Sequence, residues 1–520
     1  MSSLDTDGHQ WQRLLLFGLL ALCLLDRARI IVEFGARFTS ADDAVFWAVA
    51  DDMANGSFRE PFLYGQDYNP ALESLLAVPL LLARVPIHVA MPIAVSLLAL
   101  APFLFWGWWH ARRHEWVAAS AFIAMPLLLP VQWGMLTTMS RGFVGGLAIL
   151  AFLPLTVRIA REQWRFAAVG TITALALAAN PITLLFALPF TLAQWLETDG
   201  RWRAALALLL GTTPSVLLAW QAQHFYQLHP ERVVHGLSEG AFSMDSGRLL
   251  HAITTLDSRF IGLCPVWWPN GHVVLWLIAL TSVVLWRTGL RATGIALFAT
   301  LALIIASFAL SKAADGTTHL LYPQARMYLA LPLVLAWSVA RFQWSLRLTR
   351  VLPVITLMAC CASLAWKALH APAVIAQELA STAATPVAPL SVQRLEDDAR
   401  IAAGFKEERG VDLIVTLFGE GAQPFMALNY AGPILEPGMP RTLFLAIDRR
   451  FWRRREERDA VRPRVLFVGA DESYWSSARK GVPEMEVVPF GTARARLLKD
   501  NTLTTGELLR RMGWDLGPMP

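Results

Sequence analysis

Apolar runs recur along the whole first two thirds of the chain. They lie near 12–32, 88–109, 115–134, 142–158, 166–179, 181–195, 203–220, 272–288, 293–311, 326–341 and 350–369. A helix needs about 20 apolar residues to cross a bilayer, so these runs predict about eleven spans. Residues 166–195 are too long for one span and short for two. Asn180-Pro181 falls in the middle. Proline lacks an amide donor and disfavours helix in the residue before it. Two short or tilted helices meeting at that pair fit.

Basic residues gather in the turns between runs, at 110–114, 158–165, 201–203, 287–291 and 341–350. Such clusters mark the cytoplasmic side. With the helix pair broken at Asn180, every cluster falls on one side. The longer loops, 33–87, 221–271 and 312–325, then face the exterior, with everything after about 370. Asp5, Asp7 and Arg13 precede the first run, and no small-residue cleavage site follows it. The expectation is a retained first span with a cytoplasmic N-terminus rather than a cleaved signal.

After the last run the pattern changes. Residues 371–390 are rich in Ala, Pro, Ser and Thr and read as a linker. Residues 391–409 predict an amphipathic helix ending at Gly410. Segments 411–417, 441–447 and 464–468 read as buried strands, and helices are expected at 449–460 and 503–511. Strands alternating with helices suggest a small α/β domain over 391–520. Gly404, Gly410 and Gly419 do not make a phosphate-binding G-x-G-x-x-G.

Composition agrees with the pattern. Of 520 residues, 55% are hydrophobic and 16% charged, and the mean hydropathy is +0.45. A soluble chain carries more charge. The fold class is therefore a polytopic α-helical membrane protein: a membrane domain over 1–370, then a small exterior α/β domain. The net charge of +5 is small for this length and sits between spans. It points to lipid headgroups rather than nucleic acid. Four cysteines make no disulfide framework. His224, His229, His235, His251 and His272 do not fall at metal-ligand spacing and read as solvated. Trp267-Trp268-Pro269 reads as part of an interfacial aromatic belt.

The chemistry-bearing segment is the first exterior loop, 33–87. It holds Asp42-Asp43, Asp51-Asp52 and Tyr64-Gly65-Gln66-Asp67-Tyr68, then Glu73 at the start of an apolar helix. Asp43 also completes a capping box with Ser40, and carboxylates are favoured at a helix N-terminus. Asp51 and Asp52 read as a solvated face. Arg141 and Arg326 stand at exterior span ends, where charges are often functional but also snorkel to ordinary lipid phosphates. Lys312, His319 and Tyr322 share the loop before Arg326.

This loop resembles the first exterior loop of the GT-C glycosyltransferases, including bacterial family-39-like and RgtA-type members. The resemblance is carried by Asp42-Asp43, by 56–60 before a proline, by Tyr64-Gly65-Gln66-x-Tyr68, and by Leu72-Glu73-Ser74-Leu75-Leu76-Ala77-Val78-Pro79. Weaker matches follow in order at Ser140-Arg141-Gly142-Phe143, at 179–185 and at 326–332. The resemblance implies transfer of a sugar from a polyprenyl phosphate to an acceptor hydroxyl, at the exterior face of a bacterial inner membrane. The acceptor would be a cell-envelope glycan such as lipopolysaccharide, a lipid or a protein.

Such a reaction needs a carboxylate to take the acceptor proton and cations to hold the leaving phosphate. Its oxocarbenium-like transition state also favours a nearby carboxylate. Asp42 is the expected base, with Asp43 beside it. Tyr64, Gln66, Asp67, Tyr68 and Glu73 are candidates for sugar contact, and Arg141, Lys312, His319, Tyr322 and Arg326 for the phosphate. No cofactor is required; a divalent ion at Asp42 or Asp43 is chemically reasonable but not demanded. One base and no evident nucleophile favour inversion. A transporter or flippase, or a polymerase or ligase of lipid-linked saccharides, is the alternative. A non-catalytic scaffold leaves the acidic loop unexplained. Transporters usually show internal repeats, which this chain lacks.

Overall fold

The computed structural model describes residues 3–233, 236, 242–268, 270–314, 323–383, 389–417, 423–444, 456–469, 484–491 and 493–513. The chain forms two compact units. One comprises Met1–Phe34, Pro92–Gln221 and Leu237–Ser381; the other comprises Gly35–Met91, Ala222–Gly236 and Thr382–Pro520.

The first unit is helical. Each predicted apolar run coincides with helix, from Ser3–Ile30 to Leu346–Thr382. Among the described residues, three helices are long and apolar enough to cross a membrane on their own: Ile87–Ala111, Arg201–Leu228 and Arg347–Thr382. Several others are shorter or broken. The break at Asn180 is as expected: Glu162–Ala179 ends there, and Leu184–Leu196 follows the 3-10 turn Pro181–Thr183. Asn180 Oδ1 accepts from the Ile182 amide at 3.1 Å, capping the restart. Lipid tails offer no hydrophobic drive for helices to associate, so close backbone approach and interhelical hydrogen bonds must hold them. Helices Glu162–Ala179 and Arg201–Leu228 show both. A Cβ on Gly211 would lie 2.0 Å from the Ala167 carbonyl oxygen, and one on Gly170 would lie 2.2 Å from that of Leu208. Thr171 Oγ1 donates to the Gly211 carbonyl at 2.7 Å, and Ser215 Oγ to that of Thr171 at 3.0 Å.

The second unit gathers the first long loop, a short piece of the 221–271 loop and the C-terminal region. Its strands are β1 Phe38–Thr39, β2 Leu390–Ser391, β3 Leu413–Thr416, β4 Arg441–Phe444, β5 Val465–Val468, β6 Glu486–Phe490 and β7 Ala493–Leu498. The five-stranded sheet has the order β4-β3-β5-β7-β6, with β3 parallel to β4 and β5, and β7 antiparallel to β5 and β6. Leu413, Val415, Val465 and Phe467 are fully buried with Leu508 and Leu509 of the helix Thr505–Arg511. The helix Val392–Arg409 ends as predicted, on Gly410 in the left-handed region at φ 62°.

One boundary differs from expectation, and two lie partly outside the described residues. The predicted linker 371–390 is helical as far as Thr382, because Ala, Glu and Gln outweigh Pro372, and residues 384–388 lie outside the described residues. Of the strand expected at 441–447, 445–447 lie outside the described residues, as do 449–455 of the expected helix 449–460. The first loop, expected as part of the membrane domain 1–370, groups instead with the C-terminal region. β1 pairs with β2, and the Val392 amide donates to the Arg37 carbonyl at 2.9 Å. Helix Ala41–Ala54 packs on Gln423–Leu435, a helix the pattern did not predict.

Candidate functional site

The carboxylates lie in the second unit. Ser40 caps the helix Ala41–Ala54 through the expected capping box. Asp43 Oδ2 accepts from the Ser40 amide at 2.9 Å and from Ser40 Oγ at 2.6 Å. Asp43 is 3% exposed and is committed to holding the helix start. Asp42, one position earlier in the same first turn, is half-buried and takes no part in that box. The two neighbours thus have different work: one fixes the helix and the other is carried by it.

The reading of Asp51 and Asp52 as a solvated face is corrected for Asp52. Its Oδ2 accepts from the Tyr64 hydroxyl at 2.7 Å and from Arg59 Nε at 3.2 Å. Burial and the Asp52 charge hold the Tyr64 phenol well above its ordinary pKa. Tyr64 is 2% exposed, so its donor and most of its ring serve to pack the loop. Gln66 and Asp67 follow, both half-buried. Gln66 Oε1 and Asp67 Oδ1 are shielded from solvent and accept no hydrogen bond among the described residues. Such acceptors suit hydroxyl donors. Tyr68 is half-buried beside them. Ala71 then takes a left-handed conformation, φ 48°, before the helix Leu72–Leu82. A non-glycine residue held there costs about 1–3 kcal/mol, and such strain clusters at functional sites. Glu73 is buried in the first turn of that helix, next to Ser74, whose hydroxyl donates to the Phe46 carbonyl at 2.8 Å.

Glu60 closes the segment 56–60 that carries part of the resemblance, one residue before a proline, but the sequence reading gave it no site role of its own. Its side chain is fully buried. Arg232 Nη1 and the Tyr226 hydroxyl approach its oxygens only to 3.5 Å each. Those contacts are too long to offset burial, and burial pushes the carboxyl up to about 7. Phe62 stacks on Tyr226 at 5.7 Å, and the Phe62 amide donates to its hydroxyl at 3.1 Å. Tyr226 and Arg232 thereby strap the first loop around a carboxyl that burial holds well above the ordinary range.

The arginines lie in the first unit. Arg141 is 8% exposed. It precedes Gly142, which has φ +72°. Asn180 Nδ2 donates to the Gly142 and Phe143 carbonyls at 3.2 and 3.3 Å, so the helix break also braces the arginine's turn. Arg326 is 4% exposed in the 3-10 turn Gln324–Tyr328, with Nη1 on the Pro323 carbonyl at 3.0 Å. Lys312 is half-buried in the short helix Ser311–Ala314; His319 and Tyr322 lie outside the described residues.

Two cationic features of this unit were also missed. Arg259, in the short helix Leu256–Phe260, is 1% exposed, and its Nε and Nη1 have no hydrogen-bond partner among the described residues. Its guanidinium lies 5.8 Å from the Phe308 ring. The helix packs on the turn that carries Arg326, where Tyr328 meets Phe260 edge-on at 4.9 Å. A buried, under-satisfied guanidinium is costly unless an anion joins it. Nothing in the spacing of 256–260 signals it. The second feature was legible: Asp26, Arg27 and Arg29 interrupt an apolar run. Lys367 Nζ donates to Asp26 Oδ2 at 2.5 Å, and Arg27 reaches Thr137 Oγ1 at 2.9 Å while lying 5.0 Å from the Trp133 ring.

No family model matches the chain, and no curated protein matches it in sequence. Solved structures do. The chain is similar to ArnT from Cupriavidus metallidurans bound to undecaprenyl phosphate, with 14% identity, a TM-score of 0.55, and 92% of this chain and 97% of that one covered. It is likewise similar to the apo state of that protein, at 13% identity and a TM-score of 0.50, with 92% and 96% covered. The likeness spans both units, and this chain is a multi-pass membrane protein with a GT-C-like fold.

Proposed function

We infer that the protein is a membrane glycosyltransferase that moves a sugar from a polyprenyl-phosphate donor to an acceptor hydroxyl. The observation that carries this is a GT-C-like fold along 92% of the chain, similar to a protein bound to undecaprenyl phosphate. Asp42 takes the acceptor proton, and Asp43 holds the helix that presents it. Gln66 and Asp67 offer acceptors to sugar hydroxyls. Arg141, Arg259 and Arg326 hold the phosphate as charge develops on it; guanidinium suits this because its fork donates two bonds at once. One base and no nucleophile favour inversion. The reaction runs at the exterior face of a bacterial inner membrane, where a cell-envelope glycan, lipid or protein supplies the hydroxyl.

The test is release of polyprenyl phosphate from a panel of polyprenyl-phosphate sugars, with envelope extract as acceptor source. Wild type should release it and a folded Asp42→Asn variant should not. Equal release by both removes Asp42 from the chemistry. Binding without release by either would favour transport of the lipid-linked saccharide.

A further inference from the structure

The first unit carries a half-open pocket of 760 Å³ that the transferase reading does not use. It lies among the basic turns, 110–114, 158–165 and 341–350, not the long acidic loops. Its walls are aromatic. Trp106 meets Phe190 edge-on at 5.5 Å, and Phe190 meets Trp337 at 6.5 Å. Trp109 lies between two guanidinium groups, Arg158 at 4.7 Å and Arg113 at 6.0 Å from its ring.

The lining charges do not cancel. Glu115 is engaged by His110 Nδ1 at 2.5 Å and by Arg113 Nε at 3.2 Å, so its charge is already spent on two partners. Glu197 is engaged by Arg341 Nη2 at 2.7 Å. Arg165 has no ion pair among the described residues; its guanidinium rests 5.3 Å from the Phe166 ring. Two lining side chains each keep a solvent-shielded donor nitrogen without a partner among the described residues: Arg165 Nε and Gln194 Nε2. Donors withdrawn from water and left unmatched are rare in folded proteins. They call for an acceptor, and the surplus guanidinium calls for a negative one.

We propose that this cavity binds a phosphate-bearing anion, with Arg165 as its main charge contact, Gln194 as a second donor and the tryptophan wall against its apolar body. The basic turns around it belong to the surface that attracts anionic headgroups, so a phospholipid of that leaflet is one source and free phosphate the other. The site is distinct in residues from every group assigned to sugar transfer.

The test uses the full chain in detergent and in nanodiscs. Retention of phosphatidylglycerol and of phosphatidylcholine is counted by native mass spectrometry, and inorganic phosphate binding is measured by calorimetry. Arg165→Gln and Gln194→Leu are compared with wild type after confirming unchanged melting. A site of this kind retains phosphatidylglycerol over phosphatidylcholine, or binds inorganic phosphate, at least about tenfold more tightly in wild type than in Arg165→Gln. Gln194→Leu should weaken it less. The lipid arm alone identifies a headgroup, and the phosphate arm alone a soluble anion. Equal binding by wild type and both variants, or no binding of either probe, overturns the proposal.

Discussion

Replacing Glu60 by glutamine tests whether burial outweighs its partners. The carboxyl is pushed from its ordinary 4.5 up to about 7. A difference of that size corresponds to about 3 kcal/mol between the two protonation states. The side chain is fully buried, so solvent screening takes little away. Between pH 4.5 and about 7 the folded protein holds a proton that the unfolded chain has lost. Stability must therefore fall as pH rises through that window, and it is fully reduced above about 7. Glutamine mimics the protonated carboxyl. Glu60→Gln should melt like wild type near pH 4.5 and several degrees above it at pH 8, with most of the wild-type pH slope gone. Difference infrared spectra of wild type minus variant should show a protonated-carboxyl band that titrates near 7. A midpoint in the ordinary carboxylate range, or a variant less stable than wild type at pH 8, would mean that Arg232 and Tyr226 stabilise the anion. The burial argument would then fail.

Other perturbations separate cap, base and packing. Asp42→Asn should leave melting within about 0.5 kcal/mol of wild type and abolish release of polyprenyl phosphate. Asp43→Ala should cost about 1–2 kcal/mol of stability through the lost cap, visible as earlier melting. Gly211→Leu forces a side chain into a space where even a Cβ would lie 2.0 Å from the Ala167 carbonyl oxygen. Neither backbone can yield cheaply, so a loss of about 1–3 kcal/mol or more is expected, read as lower thermal stability in detergent. Asn180→Ala removes the cap of the Pro181–Thr183 turn and the two donations that brace Arg141. Donor affinity should drop with little change in expression. An unchanged affinity would detach that brace from phosphate binding.

The sequence pattern went furthest where physics is local. A helix in lipid must satisfy its own backbone, so each apolar run had to become helix, and each did. Proline's missing amide located the break at Asn180, and the serine three residues before Asp43 located the capping box. What could not be read was assembly across distance. β1 is two residues long and carries no strand signature; it exists because 390–391 supplies its hydrogen bonds. The helix Gln423–Leu435 contains Pro433 and was invisible to propensity, yet it packs against the loop helix Ala41–Ala54. Glu60 received no site role from the pattern because its raised pKa comes from burial beneath Tyr226 and Arg232, more than 160 residues away.

The charges inside apolar runs carry the same lesson in reverse. Asp26, Arg27 and Arg29 were in plain sight, and a charge within a span is in itself a functional-site signal. Averaging hydropathy over the run hid them. Asp26 pairs with Lys367, 341 residues away, and Arg27 lies on Trp133 and Thr137. Removing one member of such a buried pair strands the other charge, which costs about 3–5 kcal/mol. Lys367→Met should therefore destabilise the protein strongly, whereas Asp26→Asn with Lys367→Met should recover much of the loss. If the double substitution is folded yet binds donor poorly, the pair does more than close the helix interface. If it binds donor normally, Asp26 and Lys367 are packing groups and take no part in holding the donor phosphate.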